Sequence, residues 1–237
     1  MIKEAIQYLV SLKNNNIYNI NAETYSDREL VRIAPHVDRP RQLTVNGLDS
    51  IVKLVRSEMS KENLPIYIRV ESPRRIEVFT TLDGYKCRDY LYEAKCDSPD
   101  FHEGWMEFEA AIIKLRSAFV QTDDLVYLLD LLSRINKEDG VSAEDNGISQ
   151  TVTTRQGVSL KQFENVRSRV ALAPFRTFAE VKQPESEFIL RLDDRARVGL
   201  FEADGGFWKL NAKHTIRSYF EEALKDEVIN GGVIVMV

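Results

Sequence analysis

Cysteine and histidine are scarce in this sequence. Cys87 and Cys96 are the two cysteines among 237 residues, and the three histidines, His36, His102 and His214, lie far apart. A disulfide scaffold needs more cysteines, and a zinc site needs Cys and His at close, regular spacing. Two free thiols and a reducing compartment are therefore expected. Long apolar runs are also missing, since no stretch approaches the ~20 apolar residues of a membrane span. The opening string, MIKEAIQYLVSLKNNN, is too short and too interrupted for a signal h-region and has no small-residue cleavage site. The chain is expected to stay in the cytoplasm where it is made, with no membrane partner. Positive charge is not in excess: 32 Lys and Arg against 37 Asp and Glu leave a net charge of −5. That balance argues against generic coating of nucleic acid, which rests on clustered cations. No G-x-S-x-G string, Walker loop or G-x-G-x-x-G fingerprint is present. The serines and cysteines lack a recognisable base, so nucleophilic catalysis has no support and no cofactor is implied.

What remains is an ordinary globular composition, with enough apolar residues for a core without staples. Apolar spacing of i, i+3, i+4, i+7 predicts helices over 2–13, 47–60, 103–120, 122–136 and 208–225. Thr122 is a suitable N-cap, and Asp123 and Asp124 suit the positive end of the helix dipole. So few residues separate the third and fourth helices that they should form an αα-hairpin. Strand-like runs lie at Ile66–Val70, Ile76–Leu82 and Tyr90–Ala94, with turn signals at Ser72-Pro73 and Asp83-Gly84. A hairpin is expected over 17–33, with Ile17, Tyr18 and Ile20 in one strand and Glu29–Ile33 in the other. The polar segment 137–150 reads as a linker or loop, and 148–172 as a long, polar β-arm. Strands are also expected at Glu187–Leu192, Val198–Glu202 and Val233–Val237, the last wholly apolar. The fold expected is α+β, mostly antiparallel sheets packed with amphipathic helices, a central αα-hairpin and an extended β-arm. Two lobes are expected: 1–136 with the αα-hairpin, and 137–237 with the arm, a strand-turn-helix and the terminal strand.

Three groups of residues are candidates for function. Pro174-Phe175-Arg176-Thr177-Phe178 runs on to Pro184 as a stiff, extended segment. Aromatics and arginine are enriched at interface hot spots, so Phe175, Arg176 and Phe178 are candidate interface residues, with Val233 and Val235 of the apolar terminal strand. Arg155, Lys161, Arg167 and Arg169, with Phe163 among them, give the arm a weakly basic character that could grip phosphates. Glu202 and Asp204 stand two apart at a strand end before Gly205-Gly206. A carboxylate pair there can hold Mg²⁺ beside a phosphate substrate, or Asp204 can simply cap the turn.

Three strings also occur together: Asp145-Asn146-Gly147-Ile148-Ser149-Gln150, then Ala173-Pro174-Phe175-Arg176-Thr177-Phe178, then Phe201-Glu202-Ala203-Asp204-Gly205-Gly206 before Trp208-Lys209-Leu210. With them the chain, from about Leu43 onward, resembles uncharacterised proteins encoded by phages and prophages of Gram-positive bacteria. Its layout is also loosely similar to a phage group of unknown function called YfdQ-like. The resemblance implies a phage or prophage origin and a location in the cytoplasm of the bacterial host, and it carries no catalytic residues. The function expected is that of an accessory protein acting by homo-oligomeric assembly or protein binding, its partners being itself and other phage or host proteins. The alternatives are a nucleic-acid-associated protein of phage replication or recombination, and a metal-dependent phosphoryl enzyme.

Overall fold

The computed structural model describes residues 2–13, 16–26, 32–33, 38–59, 65–99, 101–135, 141–145, 150–156, 160–193, 195 and 197–237, without the side chains of 11–13, 32–33, 141–145 and 151–165. It divides between Pro40 and Arg41 into two units. The first begins with α1 (Ile2–Lys13), whose apolar residues Ile2, Ile6, Leu9 and Val10 recur at helical spacing and are all exposed. Strands β1 (Ile17–Ile20), β2 (Glu23–Ser26) and β3 (Arg32–Ile33) follow in an antiparallel sheet of that order. The partner of β1 is β2, not the expected strand at 29–33. Asn21 and Ala22, with φ of 53° and 65°, reverse the chain in two residues, and primed turns of this kind match the strand twist. Arg32–Ile33 joins as a third strand, and residues 29–31 lie outside the described residues.

The second unit contains, in order, β4 (Leu43–Val45), α2 (Leu48–Met59), β5 (Ile66–Ser72), β6 (Arg75–Thr80), β7 (Tyr90–Lys95), β8 (Gly104–Glu107), α3 (Phe108–Ala118), α4 (Asp123–Ile135), β9 (Val141–Asp145), β10 (Gln150–Gln156), β11 (Leu160–Val166), β12 (Arg169–Leu172), β13 (Ser186–Leu192), β14 (Arg197–Glu202), α5 (Phe207–Ala223), α6 (Lys225–Ile229) and β15 (Val233–Met236). Together with the helices, its largely antiparallel sheets make the α+β fold that the residue pattern predicts. Among the described residues no helix is long and apolar enough to cross a membrane.

Two hydrophobic cores form in this unit. In the first, α3 and α4 cover the four-stranded antiparallel sheet β12-β13-β14-β8. The Thr122 Oγ1 accepts the Leu125 N–H at 3.2 Å, so the expected N-cap is in place. In the second, α2 and α5 bury the inner face of the five-stranded sheet β15-β5-β6-β7-β4. Its three central strands are antiparallel, and the outer strands β15 and β4 run parallel to β5 and β7. The remaining sheet, β11-β10-β9, is antiparallel, and the buried Gln150 anchors its base to both backbone groups of Leu192.

Three expectations need correction. Residues 104–107 are a strand rather than the start of a helix, because Gly104, with φ of 139°, lies outside the helical region and the strand pairs with β14. Residues 141–145 are likewise a strand. Their polar side chains hide it, since a ladder is made by backbone groups whatever the side chains are. The expected lobe boundary at 136/137 does not separate two packing units. β15 from one side pairs with β5 from the other, and β14 with β8.

Candidate interaction surface

The aromatic–arginine segment before Pro184 turns inward. Its start belongs to the first core, where Phe175 N–H donates to Ala118 O at 2.9 Å and Phe119 bridges Pro174. Its middle belongs to the second core, where Phe178 and Val181 are buried. Thr177 Oγ1 donates to Pro73 O, and Ser98 Oγ donates to Thr177 O at 3.0 Å. The segment is therefore a strap across the two cores of one unit.

Arg176 is the centre of that strap and is only 3% exposed. Its Nη1 donates to Glu202 Oε1 at 2.6 Å, and its Nη2 donates to Ser186 Oγ at 2.6 Å and Pro184 O at 3.3 Å. The guanidinium carbon lies 3.8 Å from the Trp208 ring centroid, and Trp208 Nε1 donates to the other Glu202 oxygen at 3.1 Å. Burial pulls the guanidinium down to about 10, against the opposing pull of Glu202 and Asp204, so it stays charged at neutral pH. Gln183, buried as well, ties the strap's backbone. Its Oε1 accepts from Arg176 N–H and Thr177 N–H at 3.0 and 3.1 Å, and its Nε2 donates to Phe178 O at 3.0 Å.

These contacts reassign two candidate sets. Arg176 and Phe178 are sealed inside the chain, and only Phe175, at 38% exposed, reaches the surface. Aromatics and arginine mark buried, close-packed contacts, but they do not say whether the partner is another chain or the same one. Glu202 and Asp204 are not free for a metal. Glu202 is held by Arg176 and Trp208, while Asp204 accepts Gly206 N–H and Trp208 N–H at 2.9 and 3.0 Å as the turn enters α5. Gly205 and Gly206, with φ of 61° and 81°, supply the left-handed backbone of that turn. Among the described residues no group of three His, Cys, Asp or Glu side chains is placed to hold a metal ion.

Two of the arm's cations, Arg167 and Arg169, are each paired with a carboxylate. Arg155 and Lys161 are paired in register near the tip of β10 and β11, and their side chains lie outside the described residues. Arg167 Nη1 contacts Asp124 Oδ1 at 2.8 Å and its guanidinium lies over Tyr127, while Arg169 Nη1 contacts Glu187 Oε2 at 2.8 Å.

Other residues converge on the outer face of the five-stranded sheet. Alternation along β5, β6 and β7 sends Ile66, Ile68, Val70, Ile76, Val78 and Ala94 into the core and their neighbours to the other side. Register then sorts that other side into rows. Ile234, Tyr67, Phe79 and Tyr90 stand opposite one another across β15, β5, β6 and β7. The Tyr67 and Phe79 rings stack with centroids 5.6 Å apart, Phe79 and Tyr90 lie 5.4 Å apart, and the Arg88 guanidinium sits over Tyr67 and Phe79 at 5.3 and 5.5 Å. A bulge in the β6–β7 register, between Val78 and Phe79, places Tyr90 rather than Leu91 in this row. Tyr90 is 46% exposed and Ile234 40% exposed, whereas Phe79 is covered by its neighbours.

The next row is Met236, Arg69, Glu77, Glu93 and Thr44. Glu77 and Glu93 are buried beneath cations: Arg69 contacts Glu77, Arg75 contacts Glu93 at 2.6 Å and Glu77 at 3.2 Å, and Lys95 contacts Glu93 at 2.9 Å. Burial pushes the Glu93 carboxyl up, but Lys95 and Arg75 outweigh it and hold the group below the usual carboxylate range. The face thus carries an apolar row beside a charge network that neutralises itself. Sequence reasoning missed it, although aromatics in the polar phase of IYIRVES and RIEVFT were its local signal. Of the terminal-strand candidates, Val233 is buried in the core and Val235 packs partly against it.

No protein-family model, curated protein or solved structure matches this chain.

Proposed function

We propose that this chain is a self-assembling accessory protein, of phage or prophage origin as its resemblance implies, whose contact surface is the outer face and open β15 edge of the five-stranded sheet. The observation that carries this reading is the row Tyr90–Phe79–Tyr67–Ile234, which runs across four strands and out to an edge with no further strand beyond it among the described residues. Aromatic side chains held in place by neighbours lose little entropy on binding, and tyrosine and arginine recur at interface hot spots. Arg69, Arg75 and Lys95 of the neighbouring row are already paired with Glu71, Glu77 and Glu93, so that row favours a protein partner over a polyanion.

Light scattering on the purified chain at low and high salt tests this. A defined mass of two or more chains that persists at high salt is expected, because the contact is apolar. A single-chain mass under both conditions at micromolar concentration refutes it. One observation favours a second reading: Arg88 lies over two stacked rings, an arrangement that suits single-stranded nucleic acid. Salt-dependent binding of an oligonucleotide, lost in Arg88→Ala, would establish that reading instead.

A further inference from the structure

We infer that two copies of this chain pair antiparallel along β15, with the twofold axis at Val235, joining two five-stranded sheets into one. This rests on the self-assembly reading and names its contact.

Gly232 O accepts Ile66 N–H at 2.9 Å, so Gly232 turns its carbonyl toward β5. Backbone direction alternates along a strand. Ile234 and Met236 therefore also turn theirs toward β5, while Val233, Val235 and then Val237 turn theirs to the open edge. Proteins protect such edges with charged side chains or proline. From Gly231 to Val237 there is neither.

An edge that pairs with its own copy does so about a twofold axis, which makes the two strands antiparallel. The outward-facing valines limit the register. With the axis at Val235, that residue faces the partner's Val235 and both exchange N–H···O bonds. Val233 then faces the partner's Val237, and Ile234 faces the partner's Met236. Every facing pair is apolar, and the outward backbone groups of all three valines are satisfied. Ile234, which ends the apolar row at the edge, meets the partner's Met236, the apolar end of the second row, there. Strand pairing alone covers little of the roughly 1,200 Å² that a stable dimer needs. Val237, at 42% exposed, and the exposed Ile229 on α6, which packs against β15, extend the apolar rim.

The test uses the full chain. Light scattering of Ile234→Lys and Met236→Lys, both on the solvent face, should show the assembled mass halved with the melting transition kept. In a Cys87→Ser background, Val235→Cys should cross-link to a dimer on mild oxidation. Facing residues of a hydrogen-bonded pair have Cα atoms about 5.5 Å apart, within the range a disulfide spans. An assembled mass that survives both lysine substitutions, or an oxidised Val235→Cys chain that stays unlinked, overturns this pairing and leaves self-assembly standing. A single-chain mass for the unaltered protein overturns both. The cross-link is an independent readout should a lysine variant fail to fold.

Discussion

Arg176 and the outer-sheet arginines are surrounded by the same chemistry, carboxylates and aromatic rings, yet one set is sealed and the other open. Arg176 is enclosed by Glu202, Ser186, Pro184 O and Trp208 within a strap that joins two cores. Arg69, Arg75 and Arg88 lie on a sheet face with solvent above them, over buried Glu77 and Glu93 and the rings of Tyr67 and Phe79. Residue type does not distinguish the two. Connectivity does: the strap's partners come from β13, β14 and α5, which close around it, whereas the sheet face has core on one side only. A sealed cluster holds a fold together, and an open one is left to meet something else.

The largest expected effect is on the sealed side. Arg176→Ala takes a charged partner from Glu202 and a donor from Ser186, and opens a gap under Trp208. It should cost about 3 kcal/mol in chemical denaturation. If the cost falls below about 1 kcal/mol, the contrast between the clusters fails. Gln183→Ala comes next. It strands two buried N–H groups of the strap and should cost about 2 kcal/mol, with the assembled mass of the folded fraction unchanged.

The smallest effect belongs to the open side and depends on pH. Glu93 has a lowered pKa in the folded state, so its contribution to stability is full above the unfolded carboxylate value near 4.3 and fades as pH falls through the folded value. Glu93→Gln removes that dependence. Between neutral pH and pH 3, the melting temperature of the variant should fall by about 2 °C less than that of the unaltered chain. Equal acid limbs would mean that the Arg75 and Lys95 contacts contribute nothing.

Much of the fold was legible because it is local. The stripe Leu48, Ile51, Val52, Val55 announces α2, and Thr122 with Asp123 and Asp124 announces the start of α4, since helix pattern and cap lie within one turn or two. The alternation in β5, β6 and β7 is equally visible in the chain. β8 and β9 were not legible. Gly104–Glu107 borders an amphipathic helix, and Val141–Asp145 is polar, so both owe their strand state to distant partners.

The candidate site divides along the same line. Phe175, Arg176 and Phe178 stood out by composition, but composition does not reveal which surface receives a side chain. Out-of-phase aromatics hinted at the apolar row, but its four members come from residues 67, 79, 90 and 234, brought level only by strand register and a bulge.

Sequence alone determined the helical stripes, the strand alternation, the caps and turns, and the apolar character of Val233–Val237. Each of these depends on backbone geometry within a few residues. Tertiary structure alone decided that the aromatic–arginine strap lies inside, that Glu202 and Asp204 are occupied by the chain's own donors, and that Ile234 ends a row begun at Tyr90. Those outcomes depend on which distant segments pack and in what register, and a one-residue shift would turn every side chain to the opposite face.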